Sequence, residues 1–271
     1  MGYVSGPMVV ALGRMVLAVL AVAGLAACGT ADLPPQVLDQ PPPTSAGAAP
    51  SLVAAQPSPP TIRVDVERGA SAGQSGPGAY RYDVEVPQLV GVPLHGDALD
   101  AMIHGVLQRD LGAFLSAAQD AQAPTDLTCT SHTVRVTSKL AVLRVDCTSS
   151  QAGVARPTTV THTFNCDLAR ARILTLQDVF GRGSTYLDVL TTAARSQFPT
   201  DATPTADQTV AQGTAPVADN FKAFLLDRTA LVVVFAGFQV APGSAAAPQV
   251  SISYEDLQRY LAPGISDLLT G

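Results

Sequence analysis

The prolines between Pro34 and Pro60 constrain this 271-residue chain most. Proline fixes φ and has no N–H. The runs Pro34-Pro35, Pro41-Pro42-Pro43 and Pro57-Ser58-Pro59-Pro60 therefore exclude a helix interior or a central strand. Such a tract is extended and semi-rigid, at about 3 Å per residue. It confines the folded body to residues 61–271, roughly two hundred residues, enough for one domain with a sizeable core. The expected organisation is a leader over 1–27, a Pro/Ala/Ser-rich tether over 28–60 and a globular domain over 61–271.

The leader carries Arg14, then an apolar run from Met15 that closes on Leu25-Ala26-Ala27-Cys28. Its length fits a signal-peptide apolar region of roughly 7–15 residues. A membrane span needs about 20 apolar residues. Counted from Met8 the segment nearly reaches that, so an uncleaved anchor is the competing reading. Arg14 interrupts that longer run, and Cys28 stands where a lipobox cysteine belongs. Small residues before Cys28 give a peptidase access to the backbone, and the thiol accepts the lipid. The expectation is a lipoprotein signal peptide, lipidation at Cys28, and a body held on the extracytoplasmic side of the cell membrane, since two acyl signals make anchoring stable. The tether would then hold the domain clear of the membrane.

The chain has a net charge of −6 and no basic stripe. Phosphate neutralisation needs clustered Lys and Arg, so no nucleic acid partner is expected. Lys139 and Lys222 are the only lysines against many arginines, a bias that suggests a GC-rich bacterial genome.

Strand periodicity marks Thr61 to Glu67 and Tyr80 to Val86, with a Gly/Ser-rich loop from Arg68 to Gly78 between them. A helix follows from Asp97, placed to cap it, to about Gln122. Leu99, Ile103, Leu107, Leu111, Phe114 and Ala118 form its core stripe. Thr130 to Val136, Leu140 to Thr148 and Thr158 to Cys166 read as three strands, antiparallel because their connections are short. A second helix is capped by Ser184, with Leu187, Leu190, Ala194 and Phe198 inward. Pro199 to Val217 is polar and reads as a long mobile loop. Phe221 to Leu226 and Leu231 to Phe235 form a hairpin. Gln249 to Ser253 is a last strand, and Ser253 with Asp256 opens a closing helix. The order predicts an α+β fold, a curved antiparallel sheet with helices packed on one face.

Three cysteines remain in the body, and an exported compartment permits disulfides. A turn centred on Ser138 sets Cys129 opposite Cys147 on adjacent strands. The apolar register conflicts with this, because pairing Val136 with Ala141 and Val134 with Leu143 puts the two cysteines on opposite faces. A β-bulge near Cys129 reconciles the two. Cys129–Cys147 is the expected disulfide, with Cys166 left unpaired.

No catalytic constellation emerges. There is no G-x-S-x-G, S-x-x-K with S-D-N, or H-E-x-x-H pattern. A glycosidase needs two carboxylates flanking a cleft, and Asp146 and Asp167 are the nominees. His162, sharing a face with Val160 and Phe164, reads as a half-buried structural histidine, as does His132 beside Val134 and Val136. His95 and His104 fall at the helix surface. No C-x-x-C or ligand-like histidine spacing suggests a metal, and no cofactor is expected.

Several local patterns resemble the extracytoplasmic domain of the lysozyme-sensing anti-sigma factor RsiV, a domain of unknown function also found in PdaC-type deacetylases. Tyr82-Asp83-Val84-Glu85-Val86-Pro87 looks like that family's opening strand. The turn Ala152-Gly153-Val154-Ala155-Arg156-Pro157 resembles a Gly-Gly-Ala-His-Pro turn, with Arg156 where the histidine is usual. Phe164-Asn165-Cys166-Asp167-Leu168, then Ile173 to Phe180, looks like its strand and Leu-x-Asp-Leu-Phe turn. Asn220 to Phe235, Phe238-Gln239-Val240-Ala241-Pro242 and Val250 to Leu257 resemble its closing segments. The resemblance covers roughly Tyr80 to Leu261 and implies a shared α+β fold without implying an activity. Similar domains occur in secreted actinobacterial antigens and lipoproteins.

The function expected is a non-enzymatic envelope lipoprotein that binds a wall glycan, an envelope protein or a host protein, lysozyme-like by resemblance only. The alternative is a wall- or lipid-acting envelope enzyme. The candidate partner-binding residues are Arg156 and Pro157 in the Gln151 to Pro157 turn, and Asp207 in the Pro199 to Val217 segment.

Overall fold

Leu140 to Leu143 carries four successive apolar side chains, all with no solvent exposure. Neighbouring side chains of a strand point to opposite faces, so this strand is buried on both sides. The computed structural model describes residues 61–270 except 74, 182–184, 199–203 and 241–246. The lipidation expected at Cys28, and the leader and tether expected over 1–60, lie outside the described residues.

The main sheet has six strands in the order β1 (Arg63–Gly73), β2 (Tyr80–Val90), β3 (Thr125–Val136), β4 (Leu140–Gln151), β5 (Thr158–Asp167) and β6 (Arg172–Ile173). A second sheet holds β7 (Phe224–Leu226), β8 (Ala230–Val234) and β9 (Gln249–Ser253). Six helices are described: α1 (Gly96–Asp120), α2 (Leu176–Phe180), α3 (Tyr186–Gln197), α4 (Pro204–Gly213), α5 (Tyr254–Leu257) and α6 (Ile265–Leu269). The fold is α+β, as the sequence predicts.

Three features of the sheet depart from that prediction. First, β2 and β3 pair in parallel, with α1 as the crossover between them, while every other strand pair is antiparallel. A parallel pair needs such a crossover. Second, helices do not cover one face alone. The stripe Leu99, Ile103 and Leu107 of α1 packs on Ala141, Leu143, Val145 and Phe164. On the opposite face Leu140 and Val142 pack with the second sheet and with α2, α3, α5 and α6. Third, the segment read as a loop from Arg68 continues as strand to Gly73 and pairs along its length with β2.

Asn165 and Thr163 join the two sheets. Asn165, 1% exposed, donates from Nδ2 to the Phe224 carbonyl at 2.8 Å and accepts the Leu226 amide at Oδ1 at 2.8 Å. Thr163 Oγ1 accepts the Phe224 amide at 3.1 Å. These side chains do for β7 what a strand ladder would do. Arg135 adds a second tie, donating to the Leu269 carbonyl at 2.6 Å.

The disulfide joins Cys129 and Cys147, and Cys166 is free and buried. The register conflict resolves by a bulge at Val134. Val136 pairs Ala141 and Arg135 pairs Val142, but Thr133 pairs Leu143, and from there Cys129 meets Cys147. The extra residue swaps faces. The bulge thus lies five residues beyond Cys129, and it separates His132 from the face of Val136. Burial pushes the Cys166 thiol up to about 12, with the Asp100 carboxylate adding to it, so the thiol is unreactive in the folded protein.

Helix ends also differ from expectation. Asp97 does not cap α1; the N-cap position is His95, in a left-handed conformation with φ 59°. Asp100 instead accepts the Leu89 amide at 2.9 Å, and burial raises its carboxyl. Ser184 is not described, and the N-cap position of α3 is Thr185, without a side-chain bond. Pro199 to Val217 contains α4 rather than a continuous loop. The predicted Ser253 cap is present, accepting the Asp256 amide at 3.2 Å.

Thr175 and Asp178 form a capping box at α2. Burial pulls the Asp178 carboxyl up, but hydrogen bonds from Thr175 and the Arg172 guanidinium outweigh it, and its pKa is lowered. A lowered carboxyl stabilises the fold above the unfolded value, about 3.9, and that contribution is lost as pH falls through the folded value. Asp178→Asn should therefore cost about 1 kcal/mol at pH 7. The gap from the parent should close below pH 3.9, as urea titrations at pH 7, 4 and 2.5 would show.

Candidate functional site

The turn between β4 and β5 is closed by the Val154 amide on the Gln151 carbonyl at 3.0 Å, with Gly153 at φ 84°. That geometry sends Arg156 outward, and its guanidinium carbon lies 6.0 Å from the centre of the Phe238 ring. Phe238 sits between β8 and β9, itself at φ 64° and 41% exposed. A cation over an aromatic face is attracted by the ring quadrupole.

Gln239 anchors the segment that presents Phe238. Its Oε1 accepts the Ala236 amide at 3.0 Å, closing the turn. Its Nε2 donates to the Gly213 carbonyl and to the Asn220 carbonyl, each at 3.0 Å. Gly213 ends α4, and a Cβ there would overlap the Gln239 carbonyl, so only glycine permits the approach. The α4 helix is held to α3 in turn, because Arg195 donates to Thr214 Oγ1 at 3.1 Å.

The Gln151 to Pro157 turn and the α4 region are therefore linked through residues 236–240. Arg156 is at the centre of this link and Pro157 is exposed beside it. Asp207 is exposed on α4, six residues before Gly213, which is about 9 Å along the helix axis. Val154, Val217 and Phe238 on these segments are exposed apolar side chains. Phe238 is not among the residues to which the sequence points. Its position in the sequence carries no local signal that the ring stands in solvent under an arginine.

Under the turn is a cavity of 230 Å³, lined in part by Ala117 and Ala118 of α1, by Ala121 just past its end, and by Ser149, Val154 and Arg156. The small alanines leave the space that the turn roofs.

The nominated carboxylates do not come together. Asp146 pairs Thr161, and Asp167 lies six residues farther along β5, about 20 Å away. A glycosidase pair is set roughly 5–9.5 Å apart. Asp146 is engaged by Arg144 at 2.8 Å and Thr161 at 2.6 Å, with His132 at 3.7 Å. Asp167 is fully buried and paired with Arg170 at 2.9 Å. His162 is half-buried and bonded to Asp110 at 2.5 Å, tying β5 to α1 as a structural histidine would. His95 and His104 are exposed at the helix surface. Among the described residues no three His, Cys, Asp or Glu side chains converge as a metal-holding group. No helix of those residues is long and apolar enough to cross a membrane.

Residues 177–255 match the family model described as "Protein of unknown function (DUF3298)". The matched stretch is similar to that family. It runs from α2 to the start of α5 and so contains α3, α4, the second sheet and Phe238. Over 101 residues the chain is 30% identical to the peptidoglycan-N-acetylmuramic acid deacetylase PdaC of Bacillus subtilis strain 168. The match covers 37% of this chain and 22% of that protein, so the chain spans only about a fifth of this relative. Two crystal structures of DUF3298 proteins share the fold. One, from Bacteroides fragilis NCTC 9343, has a TM-score of 0.55 at 15% identity and covers 79% of this chain and 99% of its own. The other, from Pseudomonas aeruginosa PAO1, has a TM-score of 0.51 at 15% identity and covers 77% and 97%. Both alignments extend well beyond 177–255, so the shared fold takes in more of the chain than the matched stretch.

Proposed function

We propose that this protein is an extracytoplasmic envelope protein, lipid-anchored at Cys28 and extended on its tether, whose domain binds a macromolecule of the wall, the envelope or a host. The docking surface is the Gln151 to Pro157 turn, the 236–240 segment and α4. The observation that carries this reading is the Arg156–Phe238 contact. It holds an aromatic ring half in solvent, next to a cation, on a segment pinned by Gln239. Exposed aromatic and arginine side chains on a rigid frame are the residue types that dominate binding energy at interfaces. The relation to a peptidoglycan deacetylase supports an address at the cell envelope. The chemistry of that relative does not transfer, because most of that relative lies outside the match.

Phe238→Asn removes the ring at a left-handed position that asparagine tolerates. The variant should melt within about 3 °C of the parent, as expected for a surface change worth under about 0.5 kcal/mol. Its recovery of partner should fall at least tenfold, which is about 1.4 kcal/mol. The assay is co-sedimentation of the full chain with isolated wall polymer, alongside affinity recovery of envelope and secreted proteins. Equal recovery by the folded variant and the parent would remove this surface from the account.

A further inference from the structure

The strand edges of the two sheets are managed unequally. The outer strand β1 carries Arg63, Asp65, Glu67 and Arg68, and Arg68 pairs across to Asp83 and Glu85. Charges on an edge strand oppose pairing with another chain. At β7 the side chains of Thr163 and Asn165 take up backbone groups. At β9, Gln197 of α3 donates to the Ser251 carbonyl at 3.3 Å. At the far side of the main sheet, β6 is only two residues long. The chain leaves that edge at Leu174, whose amide donates to the Asn165 carbonyl at 2.7 Å, and Thr175 then starts α2.

The outer edge of β5 from Thr158 to Thr163 is left without a strand beside it. Backbone groups alternate sides along a strand. Because the Asn165 carbonyl points outward to Leu174, the N–H and C=O groups of Thr163, Thr161 and Thr159 point outward too. Among the described residues none of them has a backbone partner on that side. The segment Thr-Thr-Val-Thr-His-Thr contains no Lys, Arg, Asp or Glu, and Val160 on it is 46% exposed. It is β-branched, uncharged and unguarded.

We propose that this edge pairs with the same edge of a second copy of the chain, in antiparallel two-fold register centred on Thr161. Two boundaries select that register. A centre on Thr159 would set Pro157, which has no N–H, opposite Thr161 of the second copy. A centre on Thr163 would call on the Asn165 carbonyl, which Leu174 already occupies. Centred on Thr161, every outward group finds a partner: Thr161 meets Thr161, and Thr159 meets Thr163, giving about six backbone hydrogen bonds. Val160 of each copy then lies opposite His162 of the other and is covered. Cross-strand Thr–Thr pairs are favourable and no like charges face each other. The main sheets of the two copies join into one. The β1 edges, with their charges, remain outermost.

The test is cross-linking of the full-length chain in its envelope membranes. In a hydrogen-bonded antiparallel pair the Cα atoms lie about 5.5 Å apart, within disulfide range. Thr161→Cys should give a species of twice the chain's mass under mild oxidation. Val66→Cys, which is more exposed but lies on β1, and the parent should not. A monomeric Thr161→Cys chain, or equal cross-linking of Val66→Cys, overturns the proposal. Hydrogen exchange on the unsubstituted chain guards against misfolding of the variant. The amides of Thr159, Thr161 and Thr163 should be protected at high protein concentration and lose protection on dilution. If they exchange freely at every concentration, the edge is unpaired and the proposal fails.

Discussion

Asn165→Ala should destabilise the domain by about 4 kcal/mol, because it strands two buried backbone groups at about 1–3 kcal/mol each. The Phe224 carbonyl and the Leu226 amide belong to β7, whose only described links to the main sheet's polar groups are Thr163 and Asn165. The second sheet would lose its seat before it lost its own hairpin. Asn165→Asp sharpens the test. It keeps the acceptor for Leu226 but sets a carboxylate oxygen against the Phe224 carbonyl in a site with 1% exposure. A protonated acid can donate there. A buried carboxyl's raised pKa in the folded state therefore makes the Asp variant's loss greatest near neutral pH, easing as pH falls. Urea unfolding of both variants at pH 7 and pH 4.5 measures this. A loss below about 1 kcal/mol for Asn165→Ala, no more than one ordinary hydrogen bond, would show that the sheets are held together without these bonds.

Removing the Cys129–Cys147 bridge, by replacing both residues with Ala, should cost about 3 kcal/mol. The two are 18 residues apart, and closing a loop of that size removes about that much unfolded-chain freedom. The bridge also lies under α1 in the same cluster as Leu127 and Val145, so some packing is lost with it. The parent's denaturation midpoint should fall by a similar amount when a reductant is added, while the double variant should not respond. An unchanged midpoint in the reduced parent would contradict this.

The disulfide shows how far sequence could go. Counting from Ser138 pairs the cysteines, and the apolar pattern contradicts that pairing. Only a bulge satisfies both. Its place at Val134 depends on which face Arg135 must reach, the Leu269 carbonyl, and that partner is 134 residues away. The second layer was hidden for a related reason. Leu231 to Val234 are all buried, so they read as strand without saying what covers them. The α4 segment reads as loop because Val210 is its one buried large apolar residue, although Pro204 at its first position suits a helix start. At the site, the Gly153 turn is legible in the sequence and points to Arg156. Phe238 is not, because its role comes from Gln239 binding Gly213 and Asn220, contacts between segments distant in sequence.

The most direct test of the binding surface is a photo-activatable benzoylphenylalanine at position 238, compared with the same residue at the exposed Met102 of α1, in living cells. An adduct of defined mass with a molecule other than this chain is expected at position 238 and none at position 102. The same adducts at both positions, or none at position 238 in a folded and correctly exported protein, would contradict it.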